Sequence, residues 1–200
     1  GLTDVGNEAD PVFVDIDNDG DFDAFIGAGS GDTKYFENVG DAQNPVFASF
    51  VNNPFGLVNL VEDAAPVFVD IDTDGDFDAF LGNDLGDVRY FENVGTVSSP
   101  SFANPVLSPF GIPNVGFDAF LAFADFDNDL DFDVFIGNEA GHTFYYRNDG
   151  NITSPAFTLV GQNPIGLQRT DGEAAPSAVD LDNDGDFDLL VAEEFGSTYY

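Results

Sequence analysis

A nine-residue acidic stretch, Asp15-Ile-Asp-Asn-Asp-Gly-Asp-Phe-Asp23, recurs at Asp70, Asp125 and Asp180, each time after a step of 55 residues. Each copy reads D-x-D-x-D-[G/L]-D-F-D, and no insertion separates the copies. A strict period of this length is the mark of a repeat architecture in which each copy occupies the same geometric slot. The register sets the units at 1–55, 56–110, 111–165 and 166–200, the last one truncated. Other columns agree, among them Gly1/Gly56/Gly111/Gly166, Tyr35/Tyr90/Tyr145/Tyr200, Asn38/Asn93/Asn148 and Phe47/Phe102/Phe157.

No helical period is present. Apolar runs are short, β-branched or aromatic, and bounded by Gly, Asp, Asn and Pro, which predicts strands. In the first copy the expected strands are Val12–Ile16, buried on both faces, then Ala24–Gly27, Thr33–Glu37 and Val46–Val51. The fold class is therefore all-β: tandem four-stranded antiparallel repeats, propeller-blade-like or stacked as a linear solenoid. One such sheet cannot bury its faces alone, so neighbouring copies must cover it. Phe22, Phe77, Phe132 and Phe187, at the eighth loop position, are expected to pin the loop to the core, each burial contributing ~2 kcal/mol.

Five carboxylates in nine residues repel one another unless a cation lies among them. Calcium takes six to eight oxygens, carboxylates and carbonyls mixed. Asp at positions 1, 3 and 5 of a tight turn aims three side chains inward: Asp15, Asp17 and Asp19; Asp70, Asp72 and Asp74; Asp125, Asp127 and Asp129; Asp180, Asp182 and Asp184. Position 7 (Asp21, Asp76, Asp131, Asp186) offers its carbonyl, with its side chain outside the shell. Position 12 is Ile26, Leu81, Ile136 or Val191, not the Glu of a helix–loop–helix calcium site, so Asp at position 9 (Asp23, Asp78, Asp133, Asp188) is the natural closing ligand. About one Ca²⁺ per repeat is expected. Leu130 replaces the position-6 Gly, which strains a left-handed backbone there and predicts a weaker third site.

Charge narrows the partners. The chain carries 38 acids against 4 bases, a formal charge of −34. Nucleic acid and anionic membrane surfaces are excluded on that ground, and basic partners and divalent cations favoured. The loops hold 20 of the acids, and a high-salt habitat would account for the rest but not for the alternation. With 43 % hydrophobic residues and 23 Phe the chain is not a disordered acidic tail. There is no Cys, so bound calcium takes the place of disulfides as a staple, and millimolar external calcium fills weak sites that cytosolic calcium cannot. The location expected is extracellular or cell-surface. The frame, opening at Gly1 and stopping at Tyr200 within a repeat, is read as a piece of a longer polypeptide.

These residues resemble the FG-GAP/VCBS repeat family of integrin α-type β-propellers and bacterial surface proteins. The marks are Phe55-Gly56 and Phe110-Gly111 before the first strand, the D-x-D-x-D-G-x-x-D loop, and Phe-Ile-Gly27 or Phe-Leu-Gly82 after it. The resemblance implies a calcium loop between the first two strands of each blade, with ligands at positions 1, 3, 5 and 9. Departures are Leu130, Ala192 in place of the second-strand Gly, and the missing fourth strand of the last copy. The function expected is a calcium-stabilised extracellular structural module, a segment of a surface fibre, stalk or adhesin, assembling with neighbouring repeats or identical chains. The alternative is a ligand- or glycan-binding propeller head, built on stretches that vary between copies such as Ala28–Asp32 and Asn138–His142. The turns Val97–Ser101 and Asn151–Pro155 are candidate glycan sites, and Asn151 heads an N-x-[ST] sequon. His142, the sole His, reads as a surface-turn residue, and with no nucleophile–His–acid set no enzyme is expected.

Overall fold

The computed structural model describes residues 1–200, folded as four small antiparallel sheets joined by turns. The first sheet is a meander of β1 (Asp10–Val14), β2 (Asp23–Gly27), β3 (Thr33–Phe36) and β4 (Val51–Asn52). The second repeats it with β5 (Ala65–Val69), β6 (Asp78–Gly82), β7 (Val88–Phe91) and β8 (Val106–Leu107). The third holds β9 (Phe120–Ala124), β10 (Asp133–Gly137), β11 (Thr143–Asn148) and β12 (Phe157–Gln162). The fourth has three strands, β13 (Ala174–Val179), β14 (Asp188–Glu193) and β15 (Thr198–Tyr199). No helix is long and apolar enough to cross a membrane.

Two compact units divide the chain: residues 1–70, 74–83 and 89–107 form one, and residues 71–73, 84–88 and 108–200 the other. In the first, Phe25 on β2 is fully buried, with Tyr35 at 4.8 Å and Phe68 at 4.4 Å between ring centroids. Val14, Ile16, Leu57, Leu60 and Leu81 complete this core. In the second, Phe135 stacks on Tyr145 at 4.6 Å and meets the edge of Phe126 at 4.7 Å, with Leu189 and Val191 beside them. The central strand is therefore apolar on both faces, and the next copy covers one of them. Close approach requires glycine there: a Cβ on Gly27 would run into the Ala64 carbonyl, and one on Gly137 into the Ala174 carbonyl. In the fourth sheet Ala192 holds this column and is exposed.

Three expectations are corrected. The position-8 aromatics do not enter the core: Phe22 is 63 % exposed, Phe77 38 % and Phe187 45 %, and Phe132 is half-buried. Side chains alternate across the loop–strand junction, and it is the neighbouring Asp23, Asp78 and Asp133 that turn inward. The first strand starts two residues earlier than expected, at Asp10, and is not buried on both faces, since Phe13 is 51 % exposed. The fourth strand of the first two copies shrinks to two residues. The Asn38 side chain accepts hydrogen bonds from Gly40 N (3.1 Å) and Val46 N (2.8 Å), bending the chain so that Phe47 meets Asn38 in an isolated bridge. In the second copy Pro105 further removes a ladder donor, whereas the third copy, with Val160 there, forms the full β12.

Candidate metal centres

Each acidic loop joins the first two strands of its sheet, and its fold follows from Asp at position 1. Asp15 accepts the backbone N–H of Asp19 through Oδ1 (3.1 Å) and of Gly20 through Oδ2 (3.1 Å), and Asp19 Oδ1 accepts Asp21 N–H (3.1 Å). Asp70 and Asp74 make the same bonds at 3.1 Å. So do Asp125 with Asp129 and Leu130, and Asp180 with Asp184 and Gly185. The reversal places two residues of each loop in the left-handed region. Position 4 is Asn18, Thr73, Asn128 or Asn183 (φ 56, 61, 61 and 60°), and position 6 is Gly20, Gly75 or Gly185 (φ 97, 100 and 97°). Leu130 adopts the same turn at φ 79° with its side chain 82 % exposed, so the strained geometry persists without glycine.

The turn gathers carboxylates. Ligand-type oxygens of Asp15, Asp17 and Asp19 lie within 4.8 Å of one another, as do those of Asp70, Asp72 and Asp74 and of Asp125, Asp127 and Asp129. In the fourth loop the trio is Asp180, Asp182 and Asp188. Burial, then the Asp19 and Asp15 charges, push the Asp17 carboxyl above its usual range; in the fourth loop Asp184 does the same to Asp182.

Position 9 plays a different part in the first three loops. Asp23 is buried on β2, where its oxygens accept Asn38 N–H (2.7 Å) and Tyr35 OH (3.0 Å). Asp78 has Asn93 N–H (2.7 Å) and Tyr90 OH (3.0 Å), and Asp133 has Asn148 N–H (2.8 Å) and Tyr145 OH (2.7 Å). The repeated Tyr and Asn columns are thus the supports of these aspartates, a role their mere recurrence does not reveal. Burial still raises Asp23 to about 6 against those two bonds. In the fourth loop Asp188 instead accepts Leu181 N–H (2.9 Å) and Tyr200 OH (3.0 Å) and joins the carboxylate trio.

Position 7 lies closer to the trio than expected from sequence. Asp21 and Asp131 are buried, and Oδ1 of each has no hydrogen-bond partner. The charges of Asp19, Asp17 and Asp15 act on Asp21, and those of Asp129, Asp133 and Asp127 help burial raise Asp131 to about 6. A buried, unpartnered carboxylate oxygen beside three more carboxylates is costly for the protein alone and suits a hard cation. The donors are all oxygen, which matches calcium and not the nitrogen or sulfur sets of zinc. An open hollow lined by Asp19, Gly20, Asp21, Asp41 and Gln43 leaves the first loop accessible from solvent.

A second acidic group was not read from the sequence. Asp118 hydrogen-bonds Asp84, and burial with the charges of Glu173, Asp84 and Glu139 raises it to about 7. Its sequence signal is the column Glu8/Asp63/Asp118/Glu173, hidden within stretches that otherwise vary. His142 is half-buried in its turn; its N–H donates to Asn138 Oδ1 (3.0 Å), and its ring packs edge-on to Phe144.

A meander of three or four strands, repeated with an acidic loop between its first two strands, defines a tandem-repeat protein of the β-propeller-blade type. Residues 125–191 match the family model of an FG-GAP-like repeat, consistent with the FG-GAP-type repeats that the sequence resembles. That match begins at the third acidic loop and runs through the fourth, so the same period relates it to the two earlier copies. No curated protein matches the chain.

Proposed function

We propose that the chain is a calcium-stabilised, non-enzymatic repeat module that works outside the cell, as a segment of a surface fibre, stalk or adhesin. The observation that carries the calcium reading is the pair of buried, unpartnered oxygens, Asp21 Oδ1 and Asp131 Oδ1, beside their loops' carboxylate trios. Asp15, Asp17 and Asp19 with Asp21 would hold the ion in the first loop, and their counterparts in the others, with the Tyr- and Asn-tethered Asp23 class fixing the strand behind. The metal supplies charge neutralisation, so each loop stiffens its own sheet.

The absence of Cys and the acidity support an extracellular setting, where calcium is abundant and can replace disulfides. Partners of this reading are neighbouring repeats or identical chains, with glycan on exposed Asn151 as an accessory, and neither nucleic acid nor membrane insertion. The first test is thermal melting with and without EGTA, joined to calcium titration. A sharp fall of Tm on chelation and about one ion per loop are expected; an unchanged melt would overturn the calcium reading. Electron microscopy of native material in millimolar calcium tests the assembly: filaments with an axial repeat of whole 55-residue units support a fibre, and discrete discs support a ligand-binding head instead.

A further inference from the structure

The turn that opens each copy is a seat for an aromatic strand, and in the fourth copy the seat is formed but nothing lies on it. In the second copy Phe102 N–H donates to the Phe55 carbonyl (2.7 Å), and the Phe102 carbonyl lies where a Cβ on Gly56 would be. In the third copy the Phe157 carbonyl lies 2.8 Å from that position on Gly111, and the Phe157 ring packs on Phe110 at 6.5 Å. Leu57 and Ile112, one residue further on, are 4 % and 0 % exposed under this cover.

The fourth copy has the same backbone. Ile165 and Gly166 sit at φ 54 and 92°, against 58 and 106° for Phe55 and Gly56 and 53 and 98° for Phe110 and Gly111. A left-handed conformation is costly for Ile, so the turn holds its shape without the guest that accompanies it elsewhere. Yet no atom comes within 4 Å of the Cβ position of Gly166, Ile165 is 79 % exposed, and Leu167 is half-buried. A groove of about 440 Å³ opens there, lined by Ile165, Gly166, Leu167, Phe187, Leu189 and Tyr199. It flanks β15, the edge of the three-stranded sheet.

We infer that this groove is a peptide-binding site for an extended Pro-x-Phe segment supplied by another polypeptide. The guest's chemistry comes from the chain itself, because Pro45-Val-Phe47, Pro100-Ser-Phe102 and Pro155-Ala-Phe157 occupy this position in the other copies. The Phe ring covers Ile165 and Leu167, its carbonyl crosses Gly166, and the residues after it extend the sheet beside β15. This is strand addition to an open sheet edge, with backbone bonds giving affinity and the aromatic giving specificity. Nothing in this site depends on the calcium reading.

The test uses the 200-residue chain in millimolar calcium and a synthetic peptide of its own residues 93–107, which contain Pro100-Ser-Phe102. Isothermal titration and backbone NMR are expected to give one peptide per chain, with shifts centred on Gly166 and Leu167. A Phe102→Ala peptide is expected to bind at least ~10-fold more weakly, as for loss of a buried aromatic anchor. Ile165→Asn in the chain is expected to weaken the wild-type peptide equally while leaving Tm unchanged, because the side chain is exposed and Asn tolerates this φ. No binding at millimolar peptide, or equal binding of the Phe102→Ala peptide, would overturn the proposal. So would a chain dimer that covers Gly166 and that the peptide cannot compete away, which would assign the groove to a second copy.

Discussion

The hydroxyl of Tyr35 donates to Asp23 Oδ2 across 3.0 Å inside the first sheet, joining its third strand to the end of its acidic loop. The bond spans twelve residues and recurs as Tyr90 to Asp78, Tyr145 to Asp133 and Tyr200 to Asp188. Its loss leaves a buried carboxylate with one fewer donor, which costs ~1–3 kcal/mol. Tyr35→Phe is therefore expected to lower Tm by several degrees and to weaken calcium binding at the first loop. Denaturant unfolding and site-resolved NMR titration measure both, and a variant as stable as the parent would show that the hydroxyl is incidental.

Leu130 is the one loop residue at position 6 that must carry a side chain in a left-handed backbone. Its side chain is 82 % exposed and contributes little packing to offset that strain. Leu130→Gly is expected to stabilise the protein by ~1 kcal/mol and bring the third site's calcium affinity to that of the others. Calorimetry of the variant checks this, and a loss of stability would mean that the Leu side chain makes a needed contact.

Acid and metal should oppose each other. Asp23 and Asp131 titrate at about 6 in the fold because burial disfavours their charge. Unfolded, such groups titrate near ~3.9. The folded state thus holds these protons more tightly, so their contribution to stability is fully present below about pH 4 and is lost as pH rises through about 6. In EGTA, Tm is expected to rise from pH 8 to pH 5. In millimolar calcium the ionised carboxylates hold the ion, and the trend should reverse. Parallel melting curves in the two buffers would contradict the assignment of these carboxylates to a metal-binding loop.

Two aromatics three residues apart should respond differently to truncation. Phe25 is fully buried and Phe22 is 63 % exposed. Phe25→Ala is expected to cost ~3–5 kcal/mol, and Phe22→Ser less than ~0.5 kcal/mol. Equal losses in urea unfolding would show that Phe22 is covered in solution.

The period, the loops and the second and third strands were legible in the sequence because each carries a local signal: fixed spacing, alternating Asp, or an apolar run ended by glycine. The orientation of Phe22 was not, since the loop's own turn decides which side of the strand the first paired residue takes, and composition favours putting an aromatic inside. The short fourth strand was hidden for a related reason. Val46–Val51 has strand propensity, but the Asn38 side chain ties up the neighbouring backbone, a competition between residues far apart in sequence. The Asp84, Asp118, Glu139 and Glu173 group was invisible because only the fold brings those residues together.

The missing side chain of Gly27 is what lets the Ala64 carbonyl, in the following copy, settle against β2, and Gly137 does the same for Ala174. One carbon atom added at either glycine would act as a wedge between successive copies and leave each sheet's own ladder intact. Mechanical failure in such a chain would therefore begin at the joints, with one repeat lifting from the next, and the spacing of those glycines sets the length of chain released at each break.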